Sequence, residues 1–215
     1  MTTRIAVLAL LCLGLAAVPA WAQNWSYDNG PINGNVDAWY INFGNIVSDT
    51  FVAGGPLVNG FSLGVETIFS NDIVTSLDWS ITSGENGGTT FGAGTASGAN
   101  LTDKYISSNQ FGFVISEVTV SGLNVPTTSG TTYWLNLQSA QTATGDPVAW
   151  DENSGVGCMS DGCPSKASQN LVGTIPSESF TISGSGSGTT PEPSSILLLS
   201  SGILGLAGLM RRKLF

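Results

Sequence analysis

The chain has 215 residues, no histidine, and only six basic residues against fifteen acidic ones, which gives a formal net charge of −9. Such a surface disfavours nucleic acids and anionic lipids, because a protein binds them by replacing counterions with Lys and Arg. Hydrolases built on a Ser-His or Cys-His pair are also excluded, since that chemistry needs an imidazole to take and return a proton.

The N-terminus has the pattern of a secretory signal. Arg4 precedes an apolar run from Ile5 to Val18, and Ala20-Trp21-Ala22 places small residues at the two positions that signal peptidase reads. We therefore predict a signal peptide over residues 1–22, cleaved after Ala22. An uncleaved N-terminal helix is the alternative.

The part of the chain that follows is strongly acidic. Between residues 23 and 190 only Lys104 and Lys166 are basic, against fourteen acidic residues, so this body has a formal charge of −12. Its length is sufficient for one domain with a substantial core. The charge favours solubility and leaves carboxylates available for divalent cations.

Short apolar runs separated by Gly, Ser, Thr and Asn recur along this body. They cover residues 39–43, 61–69, 73–81, 111–120 and 132–137. Runs of this length, bounded by turn residues, indicate β-strands. Their spacing predicts an all-β fold over residues 23–182, a single antiparallel β-sandwich of jelly-roll type with about eight to ten strands. An open barrel or a β-helix is the alternative.

Two of the runs alternate between apolar and other side chains, which predicts one buried and one solvent-facing side. The residues expected to share a side are Phe111, Phe113 and Ile115 in one run, and Tyr133, Leu135 and Leu137 in the other. The Gly- and Thr-rich segment 83–99 lies between strand-like runs and is expected to form a long hairpin or an excursion within the fold.

Oxygen-bearing side chains alternate at Asn33, Asn35 and Asp37, within the loop that begins at Asp28. Some calcium loops show such alternation, but the glycine and glutamate positions of an EF-hand are not matched. An Asx-rich turn leading into the strand at Trp39 is therefore the preferred interpretation.

The segment 145–155 contains Trp150 followed by Asp151, Glu152 and Asn153. An exposed indole beside carboxylate and amide groups can stack on a sugar ring and bond its hydroxyls, so these four residues are a possible glycan-binding site. Alternatively, Trp150 fills the core and the three polar residues form a turn. Trp134 is another aromatic residue that could serve a carbohydrate-binding module.

The same segment offers weak candidates for a structural calcium ion. Asp146 and Asp151 could contribute oxygen ligands, as Ca²⁺ prefers, and no other cofactor is expected.

Carboxylate chemistry remains open to a chain without histidine, because glycoside hydrolysis uses a pair of acidic side chains. The candidates are Glu66, Asp78, Glu117, Asp151 and Glu152. Each is more simply explained as a solvent-facing or edge-strand charge. We therefore expect a protein without catalytic residues.

Cys158 and Cys163 are the two cysteines that remain after signal-peptide removal. Outside the reducing cytoplasm, such a close pair predicts a small loop disulfide, with free thiols or a metal site as alternatives. Four zinc ligands are not available from one cysteine pair and no histidine.

The C-terminus has three consecutive parts after a Ser- and Gly-rich linker at residues 183–190. They are Pro191-Glu192-Pro193, an apolar run from Ile196 to Met210, and Arg211-Arg212-Lys213. The apolar run predicts one transmembrane helix, and the basic cluster places its end in the cytoplasm.

This tail resembles the PEP-CTERM sorting signal of Gram-negative bacteria, over residues 191–215. The resemblance implies recognition and cleavage by a membrane-embedded exosortase, in cells that also make exopolysaccharide. Pro191, Glu192, Pro193, Arg211 and Arg212 are the residues that match the signal. An ordinary C-terminal anchor is the alternative.

Together these patterns predict an exported, non-catalytic protein of the cell surface or the exopolysaccharide matrix, which passes through an intermediate anchored in the inner membrane. Its expected partners are signal peptidase, an exosortase-type enzyme and extracellular polysaccharide, with no nucleic acid. The alternatives are a carbohydrate-binding module and a carboxylate-dependent glycosidase.

Overall fold

The computed structural model describes residues 24–35 and 37–186, and this part of the chain contains fourteen β-strands and a single turn of 3₁₀ helix. In chain order the strands are β1 (Asn24–Asp28), β2 (Ala38–Tyr40), β3 (Ile46–Val52), β4 (Leu57–Thr67), β5 (Val74–Gly84), β6 (Gly87–Ser97), β7 (Leu101–Ser108), β8 (Val114–Val120), β9 (Val125–Pro126), β10 (Thr132–Thr142), β11 (Val148–Asp151), β12 (Ala167–Gln169), β13 (Gly173–Ile175) and β14 (Phe180–Ser185). The 3₁₀ turn is Gly98–Asn100.

The strands form two antiparallel sheets. One has the order β13-β12-β3-β10-β5-β6. The other is built around the long strand β4, which pairs with β14 and then β11 along one edge, and with β9 and then β8 along the other. β1 extends this sheet beyond β14, β2 extends it beyond β11, and β7 extends it beyond β8.

The prediction of an all-β, antiparallel fold is confirmed. The predicted eight to ten strands are too few, because the described residues contain fourteen. Several strands have only two to four residues, such as β9 and β11. Pieces this short carry no visible alternation of apolar residues. The finer assignment to a jelly-roll type stays a prediction.

A single hydrophobic core lies between the sheets. Tyr27 from the eight-stranded sheet approaches Phe51 from the six-stranded sheet with ring centroids 6.2 Å apart. Burial of a large apolar side chain stabilises a fold by about 1.5–3 kcal/mol. The largest side chains that are fully buried are Trp150, Tyr27, Phe51, Phe61, Phe180, Ile41, Leu63, Leu77, Ile81, Ile115, Leu135 and Leu137.

The predicted buried side of β10 is confirmed, although Asn136 on the other side is also buried, and the alternation fails before β8. Tyr133, Leu135 and Leu137 are buried, as expected. In contrast, Phe111 and Phe113 are exposed, because the chain turns there and β8 begins only at Val114. Gly112 has φ +91° within this turn, which interrupts an extended backbone.

The Gly- and Thr-rich segment forms the predicted hairpin: β6 pairs with β5 in register from Ser76 opposite Ser97. The predicted disulfide is also present, between Cys158 and Cys163, whose Cα atoms are 5.9 Å apart. It closes a small loop between β11 and β12.

The predicted boundary between domain and linker at residue 182 is wrong by three residues. Ser183, Gly184 and Ser185 belong to β14 and pair with both β1 and β4. A Cβ on Gly184 would collide with the Trp25 indole and the Leu57 carbonyl oxygen, so glycine permits this close packing. The Ser- and Gly-rich composition of residues 183–185 predicts a flexible linker, but these residues are held in a strand that pairs on both sides.

Residues 24–186 form one compact unit. No helix within the described residues is long and apolar enough to cross a membrane. The predicted signal peptide (1–22), the remaining linker residues 187–190, the sorting tail 191–215 and the transmembrane helix 196–210 lie outside the described residues.

Candidate ligand-binding groove

One row of residues across the eight-stranded sheet forms the floor of a groove. β11 pairs with β2 and β4, so that Ala149 lies opposite Tyr40 on one side and Glu66 on the other. Directly opposed residues of antiparallel strands project to the same face. The small Ala149 side chain therefore leaves open space between a tyrosine ring and a carboxylate.

The cavity above this row has a volume of about 360 Å³. The three aromatic side chains that line it, Tyr40, Phe111 and Phe113, are all exposed. The residues that line the groove are Gly34, Asn35, Asp37, Ala38, Tyr40, Glu66, Thr67, Ile68, Asn109, Phe111, Phe113, Pro147 and Ala149. Apolar rings with a few convergent polar groups are typical of small-molecule sites.

Asn109 holds the two phenylalanines in place. Its side-chain oxygen accepts hydrogen bonds from the backbone N–H groups of Phe111 and Phe113, both at 3.0 Å. Its side-chain amide donates to the Gly34 carbonyl at 2.9 Å, across the groove. One amide therefore fixes the β7–β8 turn against the opposite wall.

The opposite wall is the loop at residues 33–35, and Asp151 anchors it. The Asp151 carboxylate accepts hydrogen bonds from the backbone N–H of Asn33 at 2.9 Å and of Gly34 at 2.8 Å, and from the Ser179 hydroxyl at 3.0 Å. Gly34 has φ +60°, and a Cβ there would approach Ile115 to 2.6 Å. Glycine is thus required both for the turn and for the contact.

Glu66 is the principal charged group of the groove. Its side chain is only 9% exposed, although it lines the cavity, and no described residue donates a hydrogen bond to its carboxylate. Burial, followed by the nearby charges of Asp151 and Asp37, raises the pKa of Glu66 to about 7. A carboxyl without a partner and near other carboxylates resists ionisation.

The interpretation of Trp150 as an exposed aromatic platform is wrong. β-Strand side chains alternate between faces, so Ala149 faces the groove and Trp150 faces the core, where it is fully buried. Its indole N–H donates to the Ser179 carbonyl at 2.9 Å, and its ring meets Phe180 edge-on at 5.5 Å. The alternative in which Trp150 fills the core is the one that the structure shows.

The three polar residues after Trp150 are also buried, and they support the fold around the groove. The Glu152 carboxylate accepts hydrogen bonds from the Trp39 indole at 3.1 Å and from the Ser154 hydroxyl at 2.7 Å. Asn153 donates to the Asn29 carbonyl at 2.7 Å. Without an exposed ring, this segment lacks the stacking surface on which the glycan hypothesis for it was based.

The Asx-rich turn expected before Trp39 is present. The Asp28 carboxylate accepts from the Gly30 N–H at 2.9 Å, and the Asn33 side chain accepts from the Asn35 N–H at 2.8 Å. These oxygens bond the backbone two residues ahead, which is the defining contact of an Asx turn.

No group of three acidic or cysteine side chains among the described residues is arranged to hold a metal ion. Asp151 already accepts three hydrogen bonds, and Asp146 is engaged through its backbone with Thr142 and Asn42. The calcium prediction for Asp146 and Asp151 stays a prediction.

The carboxylates considered for catalysis are dispersed. Of these candidates only Glu66 lines the groove. Asp37, which is not one of them, also lines it. Asp78 lies in β5 of the other sheet and accepts a hydrogen bond from Thr95, while Glu117 lies in β8 outside the groove. The sequence suggests Asp37 only as part of an Asx-rich turn or a calcium loop, because its proximity to Glu66 depends on the pairing of β2 with β11.

A second group of carboxyls is buried behind the groove. Asp49 is fully buried, accepts from the backbone N–H groups of Thr50 at 2.7 Å and Glu178 at 2.8 Å, and has a pKa raised to about 7, chiefly by burial. Glu178 is fully buried opposite Glu152, and no described group bonds its carboxyl oxygens. Burial and then the charge of Asp49 raise the pKa of Glu178 well above its usual range.

Comparison with known proteins identifies one part of the chain. Residues 189–213 match the model of the PEP-CTERM protein-sorting motif. A search of curated proteins gives no match. The matched residues lie at the C-terminus and include the proline-flanked triplet, the apolar run and the basic end. The C-terminus of the chain therefore carries a PEP-CTERM protein-sorting motif, which supports an exported protein that an exosortase-type enzyme sorts.

Proposed function

We propose that this protein acts, without catalysis, at the cell surface or in the exopolysaccharide matrix after release from an inner-membrane intermediate. The observation that carries the proposal is the sorting motif at residues 189–213, joined to an acidic β-domain. Signal peptidase removes residues 1–22, and the exosortase-type enzyme acts on the tail. The strongly acidic body keeps such a protein soluble once it is released.

The position of the groove within the domain supports a role in display. The chain leaves the domain after Ser185, which pairs with Leu57 at one end of β4, whereas Glu66 lies near the other end. At about 3.3 Å per residue, these two ends of β4 are ~30 Å apart. A ligand in the groove is thus well separated from the point of attachment to the tail.

A second function, carbohydrate binding, is favoured by the groove itself. Tyr40, Phe111 and Phe113 present exposed rings, on which the C–H face of a sugar can stack. Glu66, Asn35 and Asp37 supply polar atoms at the same cavity, which can bond sugar hydroxyls. The proposed carbohydrate-binding site is therefore this groove and not the segment around Trp150.

The sorting proposal is tested by replacing Pro191-Glu192-Pro193 with three alanines in the producing bacterium. We expect the variant to retain its uncleaved C-terminal tail, and therefore the higher mass, and to accumulate in the inner-membrane fraction, because the sorting enzyme no longer recognises it. Ser187→Ala, outside the matched residues, is the control and should be processed normally. Unchanged mass and distribution in the triple variant would reduce the tail to an ordinary anchor.

The carbohydrate proposal is tested on a glycan array with the exported protein and its Phe111→Ala variant. We expect specific binding that the variant loses, with an unchanged thermal transition. The same oligosaccharides should be recovered intact after prolonged incubation. Their hydrolysis, lost in Glu66→Gln, would instead support the glycosidase alternative, in which Glu66 is the acid and Asp37 its partner.

A further inference from the structure

The charged side chains that line the groove all have the same sign. They are Glu66 and Asp37, whereas the two lysines of the body, Lys104 and Lys166, lie outside the lining. Asp151 adds negative charge from beneath the loop at residues 33–35, and it contributes to the raised pKa of Glu66. A ligand with a carboxylate or sulfate group would add repulsion in a site that has no cation to offset it.

Glu66 also has unused hydrogen-bonding capacity. The residue is 9% exposed and lines the cavity, and its carboxylate receives no hydrogen bond from a described residue. A carboxylate that lines a cavity and that no protein group bonds can accept hydrogen bonds from a ligand that enters the cavity. The partner that gains most from a carboxylate is a charged N–H donor, because such hydrogen bonds are about twice as strong as neutral ones.

The aromatic rings of the groove fit the same kind of ligand. Ring faces attract cations as well as stacking on sugar C–H groups, and a tyrosine and two phenylalanines are available at Tyr40, Phe111 and Phe113. The cavity volume of about 360 Å³ is near the lower end of the range for small-molecule sites, which is roughly 300–1,000 Å³. A cavity of this size can accommodate a sugar unit but not a folded protein.

We propose that the groove prefers amino sugars with a free ammonium group, which Glu66 and Asp37 bind while the aromatic rings stack on the pyranose. This inference rests on the proposed carbohydrate-binding function and names the sugar class. N-Acetylation of the same sugar removes the charge and adds bulk, so the acetylated sugar binds more weakly. Uronic acids are excluded by repulsion from the two carboxylates.

The preference for a ligand with an ammonium group should depend on pH. An ammonium ligand binds the ionised form of Glu66, so its affinity increases as the pH rises through about 7, and it decreases again where the amine loses its proton. The titratable groups that face Glu66 are Asp37 and Tyr40 at the groove and Asp151 from β11. A neutral sugar gains no ion pair and lacks the increase near pH 7.

The test compares glucosamine tetrasaccharide with N-acetylglucosamine tetrasaccharide by calorimetry, using the exported protein at several pH values. We expect glucosamine to bind at least about tenfold more tightly near pH 7, where both the amine and Glu66 are partly charged, since a hydrogen bond to a charged group contributes more than one to a neutral group. Glu66→Gln should remove this preference and its pH dependence. Asp78→Asn, on the other sheet, is the matched control and should retain both.

The outcomes distinguish the inference from the function on which it rests. Equal or tighter binding of the acetylated sugar overturns the amine preference and leaves carbohydrate binding intact. Binding of neither sugar, nor of any other glycan on the array, overturns both. Retention of the preference in folded Glu66→Gln, checked by its thermal transition, also overturns the assignment of the ammonium group to Glu66.

Discussion

Tyr40 and Glu66 project from the same face of the eight-stranded sheet, one on each side of Ala149. Neighbouring strands are about 4.8 Å apart, so the backbones of Tyr40 and Glu66 are separated by roughly twice that distance. A large residue between them would fill this space. The groove thus exists because a small side chain occupies the middle of the row.

Ala149→Leu should fill the floor of the groove and abolish ligand binding. Overpacking of a buried position costs about 1–3 kcal/mol, which leaves a folded protein if the wild type has ordinary stability. Binding is measured by calorimetry and folding by the thermal transition. Ala93→Leu, on the exposed surface of β6, is the control and should bind normally. Normal binding by Ala149→Leu would show that the ligand lies elsewhere.

Asn109→Ala should weaken binding by releasing the turn that carries Phe111 and Phe113, because the acceptor for both backbone N–H groups is lost. Asn109→Asp keeps that acceptor and loses only the donor to Gly34. We therefore expect Asp to restore most of the affinity that Ala removes. Equal loss in both variants would assign the effect to the contact with Gly34.

Stability should decrease as the pH rises from about 4 to 7. The pKa of Asp49 is 3.8 without the fold and about 7 within it, so its contribution is fully present below pH 3.8 and is lost as the pH approaches 7. At roughly 1.4 kcal/mol per pH unit, this contribution is on the order of 4 kcal/mol. Glu178, with its pKa raised further by burial, extends the same trend to higher pH.

Urea unfolding at a series of pH values measures this trend. Glu178→Gln should flatten the upper part of the profile, because it removes a titrating group to which no described residue bonds. Asp161→Asn alters an exposed carboxyl in the disulfide loop and should leave the profile unchanged. A stability that increases between pH 4 and 7 would contradict the assignment of raised pKa values to these buried carboxyls.

Trp150→Phe should reduce stability without changing ligand binding. The substitution removes the indole N–H that donates to Ser179 and leaves a cavity, for an expected loss of about 1–3 kcal/mol. Denaturant unfolding gives the stability and a glycan array gives the binding. A folded variant that loses glycan binding would restore Trp150 as part of a site.

Replacement of both cysteines by serine should have a small effect on stability. The disulfide joins residues only five positions apart, so it restricts the unfolded chain little and contributes at or below the lower end of the roughly 2–4 kcal/mol usual for disulfides. Thermal unfolding of the double variant and of the reduced wild type should agree. A loss of the cooperative transition in both would show that the loop is essential to the domain.

The fold class was predictable from sequence because long strands such as β10 alternate in a way that local composition reveals. The groove was not predictable, since its floor depends on the pairing of β11 with β2 and β4, which are far apart in the chain. The sequence offers Glu66 as one of several acidic candidates, but no residue near it in the chain indicates that Tyr40 lies two strands away. Long-range register is not encoded in a local pattern.

Two neighbouring residues of β11 have opposite environments. Ala149 and Trp150 are adjacent, yet one faces the groove and the other the core. The glycan hypothesis for this segment rests on Trp150, whereas the side chain that faces the groove is that of Ala149. For Phe111 and Phe113, alternation suggested burial, whereas the turn at Asn109 and Gly112 directs both rings to the groove.

The first and last strands of the domain are partners, with Asn24 opposite Ser185. β14 is also bonded to β4 on its other side, so it is an interior strand of the sheet. A tensile load that enters through Gly186 therefore acts along β14. The hydrogen bonds that join β14 to β1 and to β4 must then break together, in shear, before the domain opens. A domain that is pulled through its C-terminus resists such a load better than one that is pulled through an edge strand.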